Sequence, residues 1–127
     1  MKEIISTDKA PKAVGPYSQA IKVTAGTMIF CSGQIPLDPE SGKIIGTTAA
    51  DQAEQVLKNL SVVLHEAGAD LKHVVKANVY LTSMSDFQAV NEVYARYFTI
   101  ELPARAAVEV SRLPKDVKVE IEAIAII

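Results

Sequence analysis

The spacing of apolar residues predicts a first amphipathic helix over residues 48–67. Apolar side chains recur there at i, i+3, i+4 and i+7, which is typical of a helix with one buried face. Thr47 or Thr48 is suited to cap its start, and Gly68 to end it. The buried stripe consists of Ala53, Val56, Leu57, Leu60, Val63, Leu64 and Ala67.

A second helix is predicted over residues 86–98. Ser85 followed by Gln88 three residues later matches a capping box, which favours a helix start at Ser85. The same helical spacing gives a second apolar stripe, with Asn91 at its margin. This stripe consists of Phe87, Val90, Tyr94, Tyr97 and Phe98.

Six further segments have the alternating or continuous apolar pattern of strands. They are residues 2–6, 18–24, 27–32, 71–82, 105–111 and 117–127. Proline and aspartate between the last two segments predict a turn, and hence a C-terminal β-hairpin. The predicted order is β-β-β-α-β-α-β-β, which indicates an α+β domain with a mixed sheet.

The number of helices is too small for the predicted sheet. Two amphipathic helices can cover only one face of it. Residues 27–31 and 124–127 nevertheless carry apolar side chains that point to both faces. We therefore expect the uncovered face to contact other subunits, so that the protein is an oligomer.

Composition predicts one domain over residues 1–127, with 49% hydrophobic and 22% charged residues. No apolar run is long enough to cross a bilayer, and residues 1–6 do not resemble a signal peptide. The single cysteine, Cys31, suits a reducing compartment. We therefore expect a cytoplasmic protein. The net charge of −2 and the scattered Lys and Arg residues disfavour a nucleic-acid binder.

Common catalytic and metal-binding motifs are missing from the sequence. His65-Glu66 begins like a zinc helix motif, but Ala69 stands where a second histidine is required. With His73 as the only other histidine, no metal site is expected. Cys31 lies in an apolar strand and is interpreted as a core thiol rather than a nucleophile.

Arg105 and Glu120 are the candidates for chemistry. A guanidinium near the start of a strand can bind a planar carboxylate through two parallel hydrogen bonds. A partly buried carboxylate in mid-strand can have a raised pKa and transfer protons near neutral pH. The alternatives are a surface arginine paired with a glutamate, and a solvent-facing or interface carboxylate.

The predicted hairpin separates the two candidates. It places Glu120 opposite residue 109 and Arg105 about four residues further along, on the order of 13 Å away. That distance is long for one chain to hold both groups on a small substrate. We therefore predict that the Arg105 and Glu120 of one site come from neighbouring subunits.

Four ordered sequence blocks resemble the signature of the Rid family, also called YjgF or endoribonuclease L-PSP. The blocks are GPYSQA at 15–20, SGQIP at 32–36, PAR at 103–105 and VEVSRLPK at 108–115. The resemblance implies a chorismate-mutase-like fold of the bacillus type and a homotrimer with clefts between subunits. It also implies hydrolysis of 2-enamine and 2-imine acids, such as 2-aminoacrylate, to 2-keto acids and ammonia. These substrates are released by pyridoxal-phosphate-dependent dehydratases, whereas the deaminase itself needs no cofactor.

The resemblance also implies roles for individual residues. Arg105 would bind the substrate carboxylate, and Glu120 would position or activate the attacking water. The remaining pocket residues, some acting through backbone groups, would be Tyr17, Ser32, Gly33, Asn91 and Ala107. Many relatives have Ser-Cys where this chain has Ala106-Ala107, so no thiol can act there.

Three other functions remain open at the level of sequence. A non-catalytic sensor of 2-keto acids would use Arg105 in the same way, so only turnover separates it from a deaminase. A ribonuclease or translation inhibitor is disfavoured by the acidic charge balance and the lack of a basic groove. A holdase chaperone would require exposed apolar surface. The preferred substrate side chain and the partner enzyme are not specified by the sequence.

Overall fold

The computed structural model describes residues 2–127, which form six strands and two helices joined by loops and short 3₁₀ turns. The element order is the predicted one. The strands are β1 (Lys2–Ile5), β2 (Ala20–Val23), β3 (Met28–Gln34), β4 (Val74–Leu81), β5 (Ala104–Glu109) and β6 (Val119–Ile126). The helices are α1 (Ala49–Glu66) and α2 (Phe87–Tyr97).

The strands form two sheets. β1 and β2 pair with each other in a two-stranded sheet, and the other four strands form a mixed sheet in the order β3-β6-β4-β5. The predicted C-terminal hairpin is wrong, because β4 lies between β5 and β6. The β4–α2–β5 unit places β5 parallel to β4 on one side, which leaves the other side of β4 for β6.

Both helices pack on one face of the four-stranded sheet, as predicted. Alternation along β4 and β6 points every second side chain at the helices, where it is buried. The strand residues in this core are Cys31 of β3, Val74, Ala77, Val79 and Leu81 of β4, and Val119, Ile121, Ala123 and Ala125 of β6. Leu57, Leu60 and Leu64 of α1 pack against them and are inaccessible to solvent.

The helix starts differ in how well the sequence predicted them. Thr48 caps α1, and its Oγ1 accepts a hydrogen bond from the backbone N–H of Asp51 at 3.1 Å. The capping box at Ser85 is wrong. A 3₁₀ turn precedes α2, and there the Ser83 hydroxyl accepts a hydrogen bond from the backbone N–H of Ser85. The extra turn moves the start of α2 to Phe87.

The buried faces of the helices differ from the predicted apolar stripes at a few positions. Val93 is buried in α2, although it was not assigned to the stripe, whereas Val63 and Ala67 of α1 are exposed. Cys31 is buried as expected, and burial raises the pKa of its thiol. Within residues 2–127 no helix combines the length and apolar character needed to cross a membrane.

The second face of the four-stranded sheet is not covered by any element of residues 2–127. It carries Met28 and Phe30 of β3, which are 55% and 71% exposed. Alternation adds further side chains to this face. They are Lys76, Asn78 and Tyr80 of β4 and Glu120, Glu122, Ile124 and Ile126 of β6, all partly buried. Apolar and carboxylate side chains therefore share an open surface.

Candidate functional site

Arg105 lies on β5, the edge strand of the four-stranded sheet. Its cross-strand partner on β4 is Ala77, a core residue, so the Arg105 side chain points to the helix-covered face. Because no strand lies beyond β5, this side chain is only half buried and occupies the border between the core and solvent. The fold thus places a cation where its apolar stem is packed and its charged end is accessible.

Aromatic rings surround the guanidinium of Arg105. The ring centroids of Tyr94, Tyr17 and Phe87 lie 4.9, 5.4 and 5.7 Å from its central carbon. The Asn91 side chain accepts a hydrogen bond from the Arg105 Nη1 group at 2.5 Å. Rings and amide fix the orientation of the guanidinium without neutralising its charge.

The charge of Arg105 has no anionic partner in the part of the chain that the structure describes. Among residues 2–127, no carboxylate lies within ion-pair distance of it, whereas Arg112 and Arg96 each pair with an acid. Burial lowers the pKa of Arg105, but a guanidinium remains charged at any physiological pH. An oriented cation with most of its N–H donors unused is suited to bind a planar carboxylate.

Tyr17 is held beside Arg105 by the segment that precedes β2. The backbone N–H of Ser18 donates to the Pro103 carbonyl at 3.0 Å, and the Ser18 hydroxyl donates to the Leu102 carbonyl. These bonds attach the segment to the chain just before β5. The Tyr17 hydroxyl in turn accepts a hydrogen bond from the backbone N–H of Val14.

Glu120 lies on the uncovered face, next to a β-bulge in β3. Cys31 pairs with Ala123 and Gln34 with Ile121, so Ser32 and Gly33 together face Glu122 of β6, next to Glu120 on the same face. A Cβ atom at Gly33 would stand 2.0 Å from Glu120 Oε2. Only glycine at this position leaves room for the carboxylate.

The structure separates Arg105 from Glu120 within one chain. Glu120 pairs with Tyr80, and Tyr80 with Val108, which is three residues beyond Arg105 on β5. Two strand spacings and three residues correspond to roughly 14 Å between the Cα atoms. This separation is similar to the one predicted from the sequence, although the predicted hairpin does not exist. The Arg105 and Glu120 side chains also point to opposite faces of the sheet.

The predicted site residues therefore form two groups. Tyr17, Asn91, Arg105 and Ala107 lie at the β5 edge on the helix-covered face, whereas Ser32, Gly33 and Glu120 lie on the uncovered face. Sequence analysis missed Phe87 and Tyr94 as members of the first group. Their spacing from Asn91 carries the signal, because residues 87, 91 and 94 share one face of a helix.

Burial raises the pKa of Glu120, and the negative charge of Glu122 raises it further. The carboxyl of Glu120 can therefore hold and release a proton closer to neutral pH than an ordinary glutamate. Neither histidine lies in either group. His65 pairs with Asp70 at the end of α1, and His73 accepts a hydrogen bond from the Asp70 backbone.

Comparison with known proteins gives consistent matches over the whole chain. The family profile described as Endoribonuclease L-PSP matches residues 7–127. A RutC family protein of Pyrococcus horikoshii is 58% identical over 125 residues, covering 98% of each chain. A mouse (Mus musculus) protein named 2-iminobutanoate/2-iminopropanoate deaminase is 50% identical over 126 residues, covering 99% of this chain and 92% of its own. The crystal structure of E. coli TdcF with bound serine matches with a TM-score of 0.75 and 44% identity, covering 98% of each chain.

Proposed function

The chain belongs to the endoribonuclease L-PSP family, also called the Rid or YjgF family, and from this premise we propose that it is a 2-iminobutanoate/2-iminopropanoate deaminase. It hydrolyses reactive enamine and imine acids, such as 2-aminoacrylate, to 2-keto acids and ammonia. The observation that carries this proposal is Arg105, an oriented and half-buried cation without an anionic partner among residues 2–127. The relative named as a deaminase is similar over 99% of this chain.

Arg105 binds the substrate carboxylate in this proposal. Its free N–H groups form two charge-assisted hydrogen bonds with the two carboxylate oxygens. Tyr17, Phe87 and Tyr94 exclude water around the guanidinium, which strengthens these bonds. Bound serine in E. coli TdcF, a ligand with the same carboxylate group, is consistent with such a site. Ala107, on the same side of β5, borders the substrate.

Glu120 acts as the general base for the attacking water in this proposal. The enamine first tautomerises to an imine, whose carbon is electrophilic. Water attacks this carbon while Glu120 accepts one of its protons, and the electrons of the carbon–nitrogen double bond move to nitrogen. Glu120 then passes the proton to nitrogen. The hydroxyl of the resulting tetrahedral carbon then loses its proton, which is passed to nitrogen, and the carbon–nitrogen bond breaks to release ammonia and leave the keto carbon, so the step needs no metal or redox cofactor.

The complete site lies between subunits of a homotrimer. Arg105 comes from one subunit and Glu120, with Ser32 and Gly33, from its neighbour, since the two groups lie on opposite faces within a chain. The exposed Met28 and Phe30 supply apolar surface for that contact. A chorismate-mutase-like arrangement of three such sheets is the assembly that the family resemblance implies.

The substrates of this reaction are released by pyridoxal-phosphate-dependent dehydratases, which are the expected functional partners. A cytoplasmic location stays a prediction from the sequence. No cofactor is required by the chemistry proposed here, because the imine carbon is already electrophilic and needs only orientation and water.

The direct test is deamination of 2-iminopropionate that a dehydratase generates in situ. Keto acid formation is followed in competition with trapping of the imine as a semicarbazone. We expect the protein to accelerate the reaction and Arg105→Ala to lower kcat/KM by at least about 100-fold, the loss of two charge-assisted hydrogen bonds. Arg112→Ala is the matched control, because Arg112 is exposed and paired with Asp116, and it should retain full activity.

Two results of this test would contradict the proposal, the first for the role of Arg105 and the second for turnover itself. Equal activity of Arg105→Ala and wild type would mean that Arg105 does not bind the substrate. No acceleration by an assembled wild type that binds 2-ketobutyrate would instead support the non-catalytic sensor, which uses the same cation for binding alone.

A further inference from the structure

A second carboxylate lies beside Glu120 on the uncovered face. Glu122 is two residues further along β6, so alternation places both side chains on the same side of the sheet. Across on β4, Asn78 pairs with Glu122 and Tyr80 pairs with Glu120. Two carboxylates this close repel each other, and paired carboxylates of this kind take different roles when their surroundings differ.

The hydrogen bonds on this face all go to one of the two carboxylates. Glu122 Oε2 accepts a hydrogen bond from Asn78 Nδ2 at 3.0 Å and from the Tyr80 hydroxyl at 2.8 Å. Tyr80 stands opposite Glu120 in the strand register, yet it donates diagonally to Glu122. No side chain of residues 2–127 donates a hydrogen bond to Glu120. Glu122 is thus anchored and Glu120 is free.

We propose that Asn78, Tyr80 and Glu122 form an anchored-charge cluster that holds a negative charge beside Glu120 and sets the pH range in which Glu120 serves the reaction. The inference rests on the proposed function, since it takes Glu120 as the group that carries the proton. Glu122 is a positioning residue, because it acts on the substrate only through Glu120. The hydrogen bonds from Asn78 and Tyr80 keep the carboxylate of Glu122 in place.

The electrostatics of the face agree with this assignment. Burial raises the pKa of Glu120 first, and the charge of Glu122 raises it second. The hydrogen bond to Glu122 raises the pKa of Tyr80, so this phenol keeps its proton and remains a donor.

Other charged groups near Glu120 are few, and none of them is a carboxylate on this face. Lys76 on β4 pairs with Ile124, which is four residues from Glu120 along β6. Lys118 precedes β6 and is exposed. Toward β3, the Glu120 side chain approaches Gly33, while the bulge of Ser32 and Gly33 stands opposite Glu122 in the register, and beyond Tyr80 Glu120 faces Val108 of β5. The negative charge nearest to Glu120 on this face is therefore that of Glu122.

The sign of the expected effect follows from these positions. A carboxylate that accepts a proton from water is active when ionised, so the rate falls as the pH falls through its pKa. Removing the negative charge of Glu122 lowers the pKa of Glu120. The acidic limb of the pH profile of kcat/KM should then move to lower pH, so that the variant stays active in more acidic solution.

Glu122→Gln tests the inference in the intact protein, because glutamine has the same shape and still accepts the hydrogen bond from Tyr80. Carbon-13 NMR of labelled glutamate carboxyls gives the titration midpoint of Glu120, which is assigned by its loss in Glu120→Gln. The pH profile of kcat/KM is measured in parallel. Glu92→Gln is the matched control, since Glu92 is exposed on α2, on the other side of the sheet.

We expect the Glu120 midpoint and the acidic limb to move to lower pH together in Glu122→Gln and to stay in place in Glu92→Gln. An unchanged midpoint in folded Glu122→Gln overturns the inference. If that variant does not fold, Tyr80→Phe replaces it. The Glu122 carboxylate then loses one of its two hydrogen-bond donors and is held less firmly beside Glu120, so a smaller displacement in the same direction is expected, and none overturns the cluster.

The two readouts separate this inference from the proposed function. A displaced midpoint with an unmoved limb in an active enzyme contradicts a role of Glu122 in the reaction. A wild type without deaminase activity contradicts the proposed function, whereas the NMR midpoints still decide whether Glu122 controls Glu120.

Discussion

The two faces of the four-stranded sheet hold their functional charges in opposite ways. On the helix-covered face, Arg105 sits at the border of a closed apolar core, oriented by three aromatic rings and by Asn91. On the uncovered face, Glu120 shares an open surface with exposed Met28 and Phe30, and its neighbour Glu122 takes the available hydrogen bonds.

The difference is the basis for our proposal that one chain forms only half of the site. Arg105 lacks an anionic partner, and Glu120 lacks a hydrogen-bond donor, among the residues that the structure describes. Polar groups left unpartnered at a border between core and solvent are typical of sites completed by another molecule. The helix-covered face has a closed apolar core, but the charge of Arg105 is unpaired there. The uncovered face has both exposed apolar side chains and a carboxylate, Glu120, without a hydrogen-bond donor.

The largest expected effect comes from placing a charge in the apolar surface of the uncovered face. Phe30→Glu should leave the fold of a single chain intact, because the side chain is 71% exposed there. In the proposed trimer the new carboxylate would be buried and unpaired, at about 3–5 kcal/mol per interface. We expect monomers in analytical ultracentrifugation, and loss of deaminase activity with them.

Val62→Glu is the control for Phe30→Glu. Val62 is 67% exposed on α1, so a charge there should change neither assembly nor turnover. If Phe30→Glu remains a trimer with full activity, the uncovered face is not the subunit interface.

A smaller effect is expected from filling the space that Gly33 leaves for Glu120. Gly33→Ala places a methyl group where the Glu120 carboxylate lies, and this carboxylate is the flexible end of a side chain. The chain should therefore fold and assemble normally with Glu120 displaced. We expect kcat to fall roughly 10- to 100-fold with little change in KM, because Arg105 still binds the substrate carboxylate.

Gly42→Ala separates this displacement from a general loss of stability. Gly42 has a positive φ of 71° and open space around it, so alanine there costs about 1 kcal/mol of folding free energy without touching either face of the sheet. This control should unfold at a lower temperature and keep the wild-type kcat. A normal kcat in Gly33→Ala would place the reaction elsewhere than beside Glu120.

Local signals predicted the helices and strands well. The 3.6-residue spacing of α1 and its Thr48 cap are properties of consecutive residues, and the structure confirms both. The pairing of β5 was missed because it depends on where α2 returns the chain. Turn residues near Pro114 predict a reversal of direction, which does occur, but they cannot reveal that β4 lies between the reversing strands.

The two charged candidates could be singled out from the sequence, whereas most of their surroundings could not. Arg105 and Glu120 stood out as polar residues at positions that packing alone does not explain. Phe87 and Tyr94 did not, because aromatic residues at helical spacing indicate a core, and both also pack against one. The proposed role of Glu122 depends on its hydrogen bonds with Asn78 and Tyr80, which are more than 40 residues away in sequence, so the sequence alone could not reveal it.

The central claim is that Arg105 of one subunit and Glu120 of the next form one site, and mixed oligomers test it directly. Arg105→Ala and Glu120→Gln chains, each inactive alone, are co-refolded in equal amounts, and trimer formation is verified. Each mixed trimer would contain one interface with both wild-type residues, so the mixture should regain about one quarter of wild-type activity. A mixture that assembles and stays as inactive as its parents would contradict the shared site.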